Sequence, residues 1–397
     1  MKRDDLCHEV RERLKRLPPP FESHYGVVPL PPPEDGVLVS PVMMQMSNAN
    51  SALGRIATLA EELADPWLIS RILPRCEAIS SSSIEGTNST LDELLFIEET
   101  EDEDATDAAK QVRDYALALD DLVPRAHQER YTLFTVDLIK ELHLLVVRGD
   151  TSYQDAPGEI RNRVVWIGGG RGDISYSTYN PTPPEDIAAC LGESVDYMQN
   201  NGMQAMAQNL ITRMAVAHAH FEAVHPFRDG NGRVGRLLLP LMMAADGQVP
   251  LYLSPYIAER KDAYYNALKM AQQKLEWHHL VGFLSEAITG TVDELFSTRS
   301  ALQCLSTLWR KRRRFRKDSA AEKALYLLSH YPVLTIKRLS QLVDVSIPAA
   351  TMAIEQLMDA GILEERTGYA RNRVFVATEI LQIVNRPFGN APILPEK

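Results

Sequence analysis

The residues best suited to chemistry in this chain lie close together, between His225 and Arg236. They separate two apolar, helix-like segments, so they form the turn between two helices. Gly230 and Gly232 let the backbone approach a ligand closely, and the free N–H groups that open the second helix favour an anion. Arg233 and Arg236 are three positions apart, so both can reach the same polyphosphate. The turn therefore predicts a phosphate site.

A carboxylate and an imidazole beside this turn indicate a reaction as well as binding. Asp229 would repel a phosphate unless a cation stood between them, and Mg²⁺ favours one or two carboxylates together with phosphate oxygens. His225 lies four residues earlier, where a neutral imidazole can take a proton from an incoming hydroxyl group. We expect Pro226 and Phe227 to fix the loop, with the Phe227 ring buried beneath it.

The stretch HPFRDGNGRVGR, residues 225–236, resembles the signature of the Fic family, HPFx(D/E)GNGRxxR, at every specified position. The resemblance implies a helical core that binds ATP and Mg²⁺ and transfers AMP to Tyr, Thr or Ser hydroxyl groups of proteins, while pyrophosphate leaves. It implies that His225 is the general base and Asp229 the magnesium ligand. It places the nucleotide, with two arginines on its β and γ phosphates, against Gly230, Asn231, Gly232, Arg233, Val234, Gly235 and Arg236.

Two further segments are similar to parts of Fic proteins. PGEIRNRVVWIGG resembles the hairpin flap upstream of the signature, which implies that an edge around Val165 to Gly168 holds the target by strand addition. LYLSPYIAERKDAYYNAL resembles the wall of the adenosine pocket, which implies that Tyr264 or Tyr265 faces the nucleoside. Core packing is an equal alternative for both tyrosines.

A second motif stands well before the signature. SSSIEG, residues 81–86, resembles the inhibitory pattern (S/T)xxxE(G/N) of many Fic proteins. Ser81 and Glu85 are four residues apart, so they share one helix face. The resemblance implies that Glu85 pairs with Arg236 and denies the γ phosphate its place, so the chain would be autoinhibited.

Each of these residues also has an ordinary structural interpretation. His225 can cap the end of a helix, and Asp229 can be the N-cap of the next one, alone or in addition to binding a metal. Glu85 can be a solvated helix residue, because its motif is short and degenerate. His218 and His220 are predicted to be packed or hydrogen-bonded, since no cysteine or carboxylate cluster accompanies them.

The elements that must position the motifs are mostly helical. The proline-rich residues 17–36 exclude a helix and predict an extended segment. From about Met43 to about residue 300, apolar spacing predicts consecutive helices, with breaks at Pro66 and Pro74. The exception is RNRVVWIGGGRGDISYSTYNPTPP, residues 161–184, whose β-branched and aromatic run beside glycines predicts a strand or hairpin.

The C-terminal part differs in character. After the basic run Arg310 to Lys317, three helix-like pieces and two short strands predict a winged helix-turn-helix. Residues Ile347 to Ala360 take the recognition position, and Arg366 to Phe375 the wing. The basic run can be a solvated linker or helix face, and a DNA contact is the alternative. The winged helix-turn-helix itself can bind either DNA or protein.

Composition limits the class of protein. The chain has 397 residues, enough for two or three domains, and a net charge of -11, which argues against nucleic-acid binding by the whole molecule. No apolar stretch approaches a membrane helix, the charged N-terminus is unlike a signal peptide, and we expect a cytoplasmic protein without membrane contact. The four cysteines are far apart and predict neither a zinc site nor disulfides.

We therefore expect a mainly α protein: a helical Fic core with a short β-hairpin flap, plus a C-terminal winged helix-turn-helix. The predicted divisions are 1–115 (inhibitory helices), 116–300 (Fic core), 301–317 (basic linker or helix) and 318–385 (winged helix). The expected function is protein AMP transfer, with a protein substrate that includes the chain itself. A DNA-binding regulator that senses nucleotide, and removal of AMP with Glu85 activating water, remain the alternatives; assembly into a homodimer is also left open.

Overall fold

The computed structural model describes residues 1–62, 71–100, 105–151, 153–169, 172–367 and 373–395. It confirms the mainly α prediction. In these residues no helix is both long and apolar enough to pass through a membrane. In chain order, the helices are α1 (His8–Glu12), α2 (Met43–Glu62), α3 (Ile72–Ile84), α4 (Leu91–Thr100), α5 (Asp107–Glu129), α6 (Val136–Val147), α7 (Ile187–Met198), α8 (Gln204–Ala207), α9 (Leu210–Val224), α10 (Asn231–Asp246), α11 (Ser254–Glu259), α12 (Lys261–Lys274), α13 (His278–Arg312), α14 (Ala320–Leu327), α15 (Ile336–Val343), α16 (Ile347–Asp359) and α17 (Thr378–Val384).

Short strands form two small antiparallel sheets. The strands in the described residues are β1 (Leu14–Arg16), β2 (Tyr25–Val27), β3 (Val333–Thr335), β4 (Glu364–Glu365) and β5 (Val374–Val376). Strands β1 and β2 pair near the N-terminus, and the other sheet has the order β3-β5-β4 in the C-terminal part. The proline-rich residues 17–36 contain β2 and no helix, as predicted.

Helices α9 and α10 form the centre of the main core. Every residue of α9 is buried, as are nearly all residues of α10. Helices α5 and α6 pack against α10, while α7, α12 and α13 pack against α9. A helix that is buried on all sides cannot move without disturbing its neighbours. The turn between α9 and α10 is therefore held by two buried helices.

The break predicted at Pro74 is wrong. Pro74 is the third residue of α3, in the first turn, where a backbone N–H has no intrahelical acceptor. Proline therefore starts this helix instead of ending one. The second predicted break, Pro66, lies outside the described residues.

The predicted hairpin at residues 161–184 is reduced to one antiparallel bridge, between Ile167 and Tyr179. Gly168 and Gly169 follow at once with positive φ values of 74° and 98°, and a 3₁₀ turn at Ile174–Tyr176 takes up much of the return segment. This backbone cannot continue a ladder, because its glycines turn the chain out of the extended conformation. The segment is a flap-like loop with one bridge.

The C-terminal part contains four helices, α14 to α17, around the sheet β3-β5-β4. Leu334, Ile354 and Phe375 belong to its own apolar cluster, which also includes Trp309 of α13. The residues 368–372 of the predicted wing lie outside the described residues, so the winged-helix assignment stays a prediction. Continuous helices cross the boundaries predicted at residues 115 and 300, which fall inside α5 and α13, so the domain division also stays a prediction.

Candidate active site

The turn between α9 and α10 is closed by its own residues. Helix α9 ends at Val224, and the next residue, His225, adopts a left-handed backbone conformation with φ 51°. Gly230 is left-handed as well, with φ 79°, directly before α10. The Asn231 side chain closes the loop: its Oδ1 accepts from the Phe227 N–H and its Nδ2 donates to the Phe227 carbonyl, both at 2.9 Å. These bonds fix the direction in which the turn presents its N–H groups.

His143 of α6 supports the turn from below, and sequence reasoning missed it. Its ring stacks on the buried Phe227 ring, with centroids 3.8 Å apart and planes 5° apart. Its Nε2 donates to the Asp229 carbonyl at 3.0 Å, and its Nδ1 accepts from the Gly158 N–H at 2.8 Å. Burial lowers the pKa of His143 to about 4, so the ring stays neutral and keeps this tautomer.

Arg161 joins the flap-like loop to the same turn, and it was missed too. Its side chain is buried and donates to the carbonyls of His225 at 2.7 Å, Thr182 at 2.7 Å and Arg163 at 2.8 Å. Burial lowers the pKa of Arg161 to about 10. An isolated arginine in a loop gives no signal in a sequence, because its partners lie up to 64 residues away.

His225 itself faces a cavity. Its Nδ1 lies 3.8 Å from the Glu222 carboxylate and has no hydrogen-bond partner among the described residues. Burial, followed by the positive charge of Arg161, lowers the pKa of His225 to about 4. The imidazole is therefore neutral at pH 7 and has a lone pair that can accept a proton.

Arg236 is paired with Glu85, the pairing that the sequence resemblance implied. The buried guanidinium, 1% exposed as a residue, donates to Glu85 Oε1 at 2.7 Å. It also donates to Ser81 Oγ at 2.8 Å and to the Ser81 carbonyl at 2.9 Å. Burial by itself would raise the pKa of Glu85, but Arg236 beside it brings that pKa below its ordinary value. The carboxylate is thus ionised, and its side chain remains 31% exposed to the cavity.

The Glu85 carboxylate also covers Gly232, which lies in the first turn of α10. A Cβ atom at position 232 would overlap Glu85 Oε1 and crowd the Arg236 guanidinium. The position therefore admits an anion only because it is glycine. The carboxylate here stands in for a phosphate group: a negatively charged oxygen between a helix N-terminus and an arginine.

Helix α3, which delivers Glu85, is anchored at several points. The buried Glu77 carboxylate accepts from the Ser254 backbone N–H at 2.8 Å and from its hydroxyl at 2.5 Å. Arg75 is bound to Glu98 of α4 and Asp120 of α5. At the C-terminal end, Lys261 donates to the Ile84 carbonyl. A cation at this end satisfies a free carbonyl and complements the helix dipole.

Arg233 has different partners from Arg236, and the expectation that both reach one polyphosphate stays a prediction. It donates to Gln111 Oε1 at 3.1 Å and to the Val146 carbonyl at 3.2 Å. Its Nε has no partner among the described residues. Residues three apart diverge here because α10 is packed on all sides, so α5 and α6 supply closer acceptors for Arg233.

The other residues of the predicted nucleotide site differ in exposure. Asp229 is exposed at the rim of the turn, and its Oδ1 accepts from the Gly230 N–H at 2.6 Å. Val234 is fully buried in the main core. The Gly235 carbonyl accepts from His218 Nδ1 at 3.1 Å. Val234 and Gly235 therefore support the site from behind, whereas Asp229 is open to a cation.

Tyr264 and Tyr265 differ in their exposure and contacts. Tyr264 is 1% exposed, and its hydroxyl donates to His218 Nε2 at 2.6 Å, so it belongs to the packed scaffold although its ring reaches the cavity. Tyr265 is 41% exposed beside it. Of the pair, Tyr265 presents the more accessible ring face to a ligand. His218 and His220 are hydrogen-bonded, as predicted, His220 to Ser194 at 2.7 Å.

Several of these groups line one cavity of about 560 Å³, whereas Asp229 and Arg233 are not among its lining residues. That volume is typical of sites for small ligands. The cavity lies between the turn, the end of α3, α12 and the flap-like loop. The lining residues with charged or ionisable side chains, apart from the tyrosines, are Glu85, Glu222, His225, Arg236, Lys261 and Lys269.

Two sequence models match the chain: "Fic/DOC family N-terminal" over residues 43–121 and "Fic/DOC family" over residues 133–243. The chain is 35% identical over 150 residues to "Protein adenylyltransferase fic-1" of Caenorhabditis briggsae, and 33% identical over 150 residues to the protein of that name in Caenorhabditis elegans. Each match covers 38% of this chain and only 26% of the relative, so the chain spans about a quarter of these curated relatives.

Solved structures agree in fold. A Fic family protein from Desulfovibrio desulfuricans G20 covers 88% of this chain and 98% of its own, with a TM-score of 0.54 at 20% identity. A Fic-1 structure from C. elegans covers 66% of this chain and 73% of its own, with a TM-score of 0.50 at 20% identity. Together with the two family matches and the geometry of the turn, these likenesses assign the chain: it belongs to the Fic family.

Proposed function

We propose that this protein transfers AMP from ATP to hydroxyl groups of protein side chains and that Glu85 restrains the reaction. One observation carries the proposal: His225 and Arg236 face a single cavity, in which the Glu85 carboxylate occupies the cradle over Gly232. A base, an anion site and a resident anion in one place suit transfer of a phosphorus group. The adenylyltransferase names of the relatives support ATP as the donor.

In the proposed reaction, the oxygen of a Tyr, Thr or Ser hydroxyl attacks the α phosphorus of ATP. The bond between this phosphorus and the oxygen that leads to the β phosphate breaks, and pyrophosphate leaves. His225 takes the hydroxyl proton on Nε2. Its low pKa keeps it unprotonated before the attack. The chain's own contribution is thus to align the hydroxyl, the α phosphorus and the leaving oxygen.

The residues of the turn fit a magnesium nucleotide. Gly232 and the start of α10 provide the cradle for a phosphate, and Arg236 supplies a positive charge once Glu85 withdraws. Asp229 is the exposed carboxylate that would hold Mg²⁺, whose chemistry is to neutralise phosphate charge; one carboxylate beside phosphate oxygens is an ordinary ligand set for this ion. Tyr265 would lie against the nucleoside.

We propose that Glu85 inhibits by occupying the γ-phosphate position. Two anions cannot share the Arg236 guanidinium and the Gly232 cradle at once. Glu85 is the first residue after α3, so it can turn away from the cavity without unwinding a helix. Gly86, which follows with φ 91°, gives the chain local freedom for this movement.

The flap-like loop supports docking of the target as an added strand. In the Ile167–Tyr179 bridge, the Ile167 N–H and carbonyl face Tyr179 and Thr178. In extended backbone, the groups of the preceding Trp166 face the other side, and they make no backbone hydrogen bond to any described residue. A target segment that pairs with this edge would bring its hydroxyl towards His225. The chain's own segments are included among these targets.

The alternatives receive less support. The predicted recognition helix, α16, contains no lysine or arginine and carries Glu355 and Asp359, so it would repel DNA phosphates. A protein contact is the better proposal for that module. Removal of AMP would need the Glu85 carboxylate to activate water, but its Oε1 is held by Arg236 at 2.7 Å.

Labelled ATP tests the proposal. With Mg²⁺, ATP labelled at the α phosphorus should label this protein or an added protein substrate, and ATP labelled at the γ phosphorus should not, because pyrophosphate leaves. Chelation of Mg²⁺ should abolish the α label. Transfer of the γ label to protein would show a kinase reaction and overturn the proposed function.

A further inference from the structure

Glu222 is the acidic residue of the cavity to which neither the signature nor the inhibitory motif gives a role. It lies on α9 four residues after His218, on the same helix face, and three residues before His225, the left-handed residue that follows the helix. His218 is satisfied by Gly235 and Tyr264. The Glu222 carboxyl lines the cavity instead, although the residue is only 6% exposed.

Glu222 and His225 face each other with unused hydrogen-bonding atoms. Glu222 Oε2 lies 3.8 Å from His225 Nδ1. Glu222 Oε1 and His225 Nδ1 are both buried and without a hydrogen-bond partner among the described residues. Leaving a buried polar atom unpaired destabilises the fold. Closing the distance between Oε2 and Nδ1 by about 1 Å would give Nδ1 a hydrogen-bond partner, and catalytic hydrogen bonds often tighten only when substrate binds.

The chain makes room for this carboxyl group at Gly235. A Cβ atom at position 235 would overlap Glu222 Oε1. The Fic signature leaves position 235 unspecified, so its glycine is explained here by the neighbouring carboxyl. Residues on two helices thus combine to place an acid behind the imidazole.

We propose that Glu222 is a positioning residue for His225: its carboxylate accepts the Nδ1–H, which leaves the Nε2 lone pair free for the hydroxyl proton. This inference rests on the proposed AMP transfer. As Nε2 takes the proton, the imidazole becomes positively charged and the Glu222 carboxylate stabilises it through the same hydrogen bond. Histidine bases are commonly oriented in this way by a third group.

The charged neighbours set the pH at which the pair works. Burial raises the pKa of Glu222 to about 8, Arg236 of α10 opposes the rise and Glu85 adds to it. His225 faces Arg161, and Tyr264 of α12 lies beside Glu222. Protonated Glu222 can donate to Nδ1, which leaves the imidazole hydrogen on Nε2 and blocks the base. Activity should therefore rise with pH as Glu222 loses its proton.

The test compares Glu222→Ala and Glu222→Gln, both in a Glu85→Gly parent, by kcat, by KM for ATP and by the pH profile from 6 to 9. Glu222→Ala should lower kcat on the order of 100-fold, with KM changed by less than about threefold. Glu222→Gln keeps an oxygen that accepts the Nδ1–H, so it should restore most of kcat and remove the rise with pH. A merely structural role would lower thermal stability without this separation.

Two results overturn the inference. If the parent labels protein but Glu222→Ala keeps the parent's kcat, or Glu222→Gln keeps the parent's pH profile, the positioning role is wrong and AMP transfer stands. If the parent transfers no AMP at all, the proposed function fails, and the inference fails with it.

Discussion

Two cavities of nearly equal size adjoin α3, and they differ in the charged groups that line them. The cavity at the C-terminal end of α3 has about 560 Å³ and contains Glu85, Arg236 and His225. The other has about 580 Å³ and is lined mainly by apolar side chains, including Ile72 and Leu251, between α3, α11, α13 and the end of α17. Volume does not distinguish them. The charged groups do: Arg386 in the second cavity is neutralised by an ion pair with Glu294, whereas the first cavity places a histidine beside a paired arginine, which supports our proposal that the reaction occurs there.

The backbone around the two cavities differs as well. His225 and Gly168, which line the first cavity, have positive φ values, whereas none of the described residues that line the second cavity does. A histidine with φ 51° is uncommon and costs energy that surrounding bonds must offset. Here Arg161 and Asn231 supply those bonds. Strain and polar anchoring therefore coincide at the cavity with charged residues.

Of the substitutions in the two cavities, replacing His225 should have the largest effect on AMP transfer. Replacing it with Ala should reduce AMP transfer by about 100- to 10,000-fold, because a general base is lost. ATP affinity, measured by calorimetry, should stay within a few fold, since the imidazole does not hold the phosphates. Ala at a left-handed position adds about 1 kcal/mol of strain, so His225→Asn is the matched control, which tolerates that backbone. Loss of ATP binding in both variants would make His225 structural.

A smaller effect is expected at Arg236, measured in the Glu85→Gly parent so that no carboxylate competes. Arg236→Ala should weaken ATP binding by about 10- to 100-fold, because a charge-assisted contact to phosphate is worth about 1.5–3 kcal/mol. Arg236→Lys should recover part of the loss, since it keeps the charge without the fork of donors. An unchanged dissociation constant in Arg236→Ala would remove this residue from the phosphate site.

A substitution in the second cavity should have the smallest effect on AMP transfer. Thr291 of α13 lines it, and its buried hydroxyl has no partner among the described residues. Thr291→Val keeps the shape and removes the unpaired hydroxyl, so it should leave AMP transfer unchanged and stabilise the fold by at most about 1 kcal/mol. Denaturant unfolding measures the stability change. A clear loss of transfer in Thr291→Val would mean that the second cavity takes part in the reaction.

Some features of the first cavity could be predicted from the sequence, and others could not. The spacing from His225 to Arg236 located the turn between two helices, because glycine chemistry and apolar periodicity are local properties. The contact between Glu85 and Arg236 followed from resemblance, across 151 residues. His143, Arg161 and the role of Glu222 had no local signal. Each depends on which atoms the folded chain brings together.

Two errors have local causes. Pro74 was interpreted as a helix break, yet proline in a first turn needs no donor. The predicted hairpin at residues 161–184 contained β-branched residues, but two left-handed glycines and a 3₁₀ turn leave only one bridge. That Arg233 and Arg236 reach one polyphosphate stays a prediction, and the contacts of Arg233 with Gln111 and the Val146 carbonyl are tertiary contacts without a local signal.

Self-labelling with α-labelled ATP tests the central claim most directly, in the native protein, Glu85→Gly and Glu85→Gln. Both variants free Arg236 and the Gly232 cradle, and a competing carboxylate worth a few kcal/mol corresponds to about 100-fold in rate. Glu93→Gln, the same change on α4 outside the cavity, is the matched control and should behave like the native protein. The account predicts that labelling rises about 100-fold in both Glu85 variants. Unchanged or reduced labelling in both would contradict it.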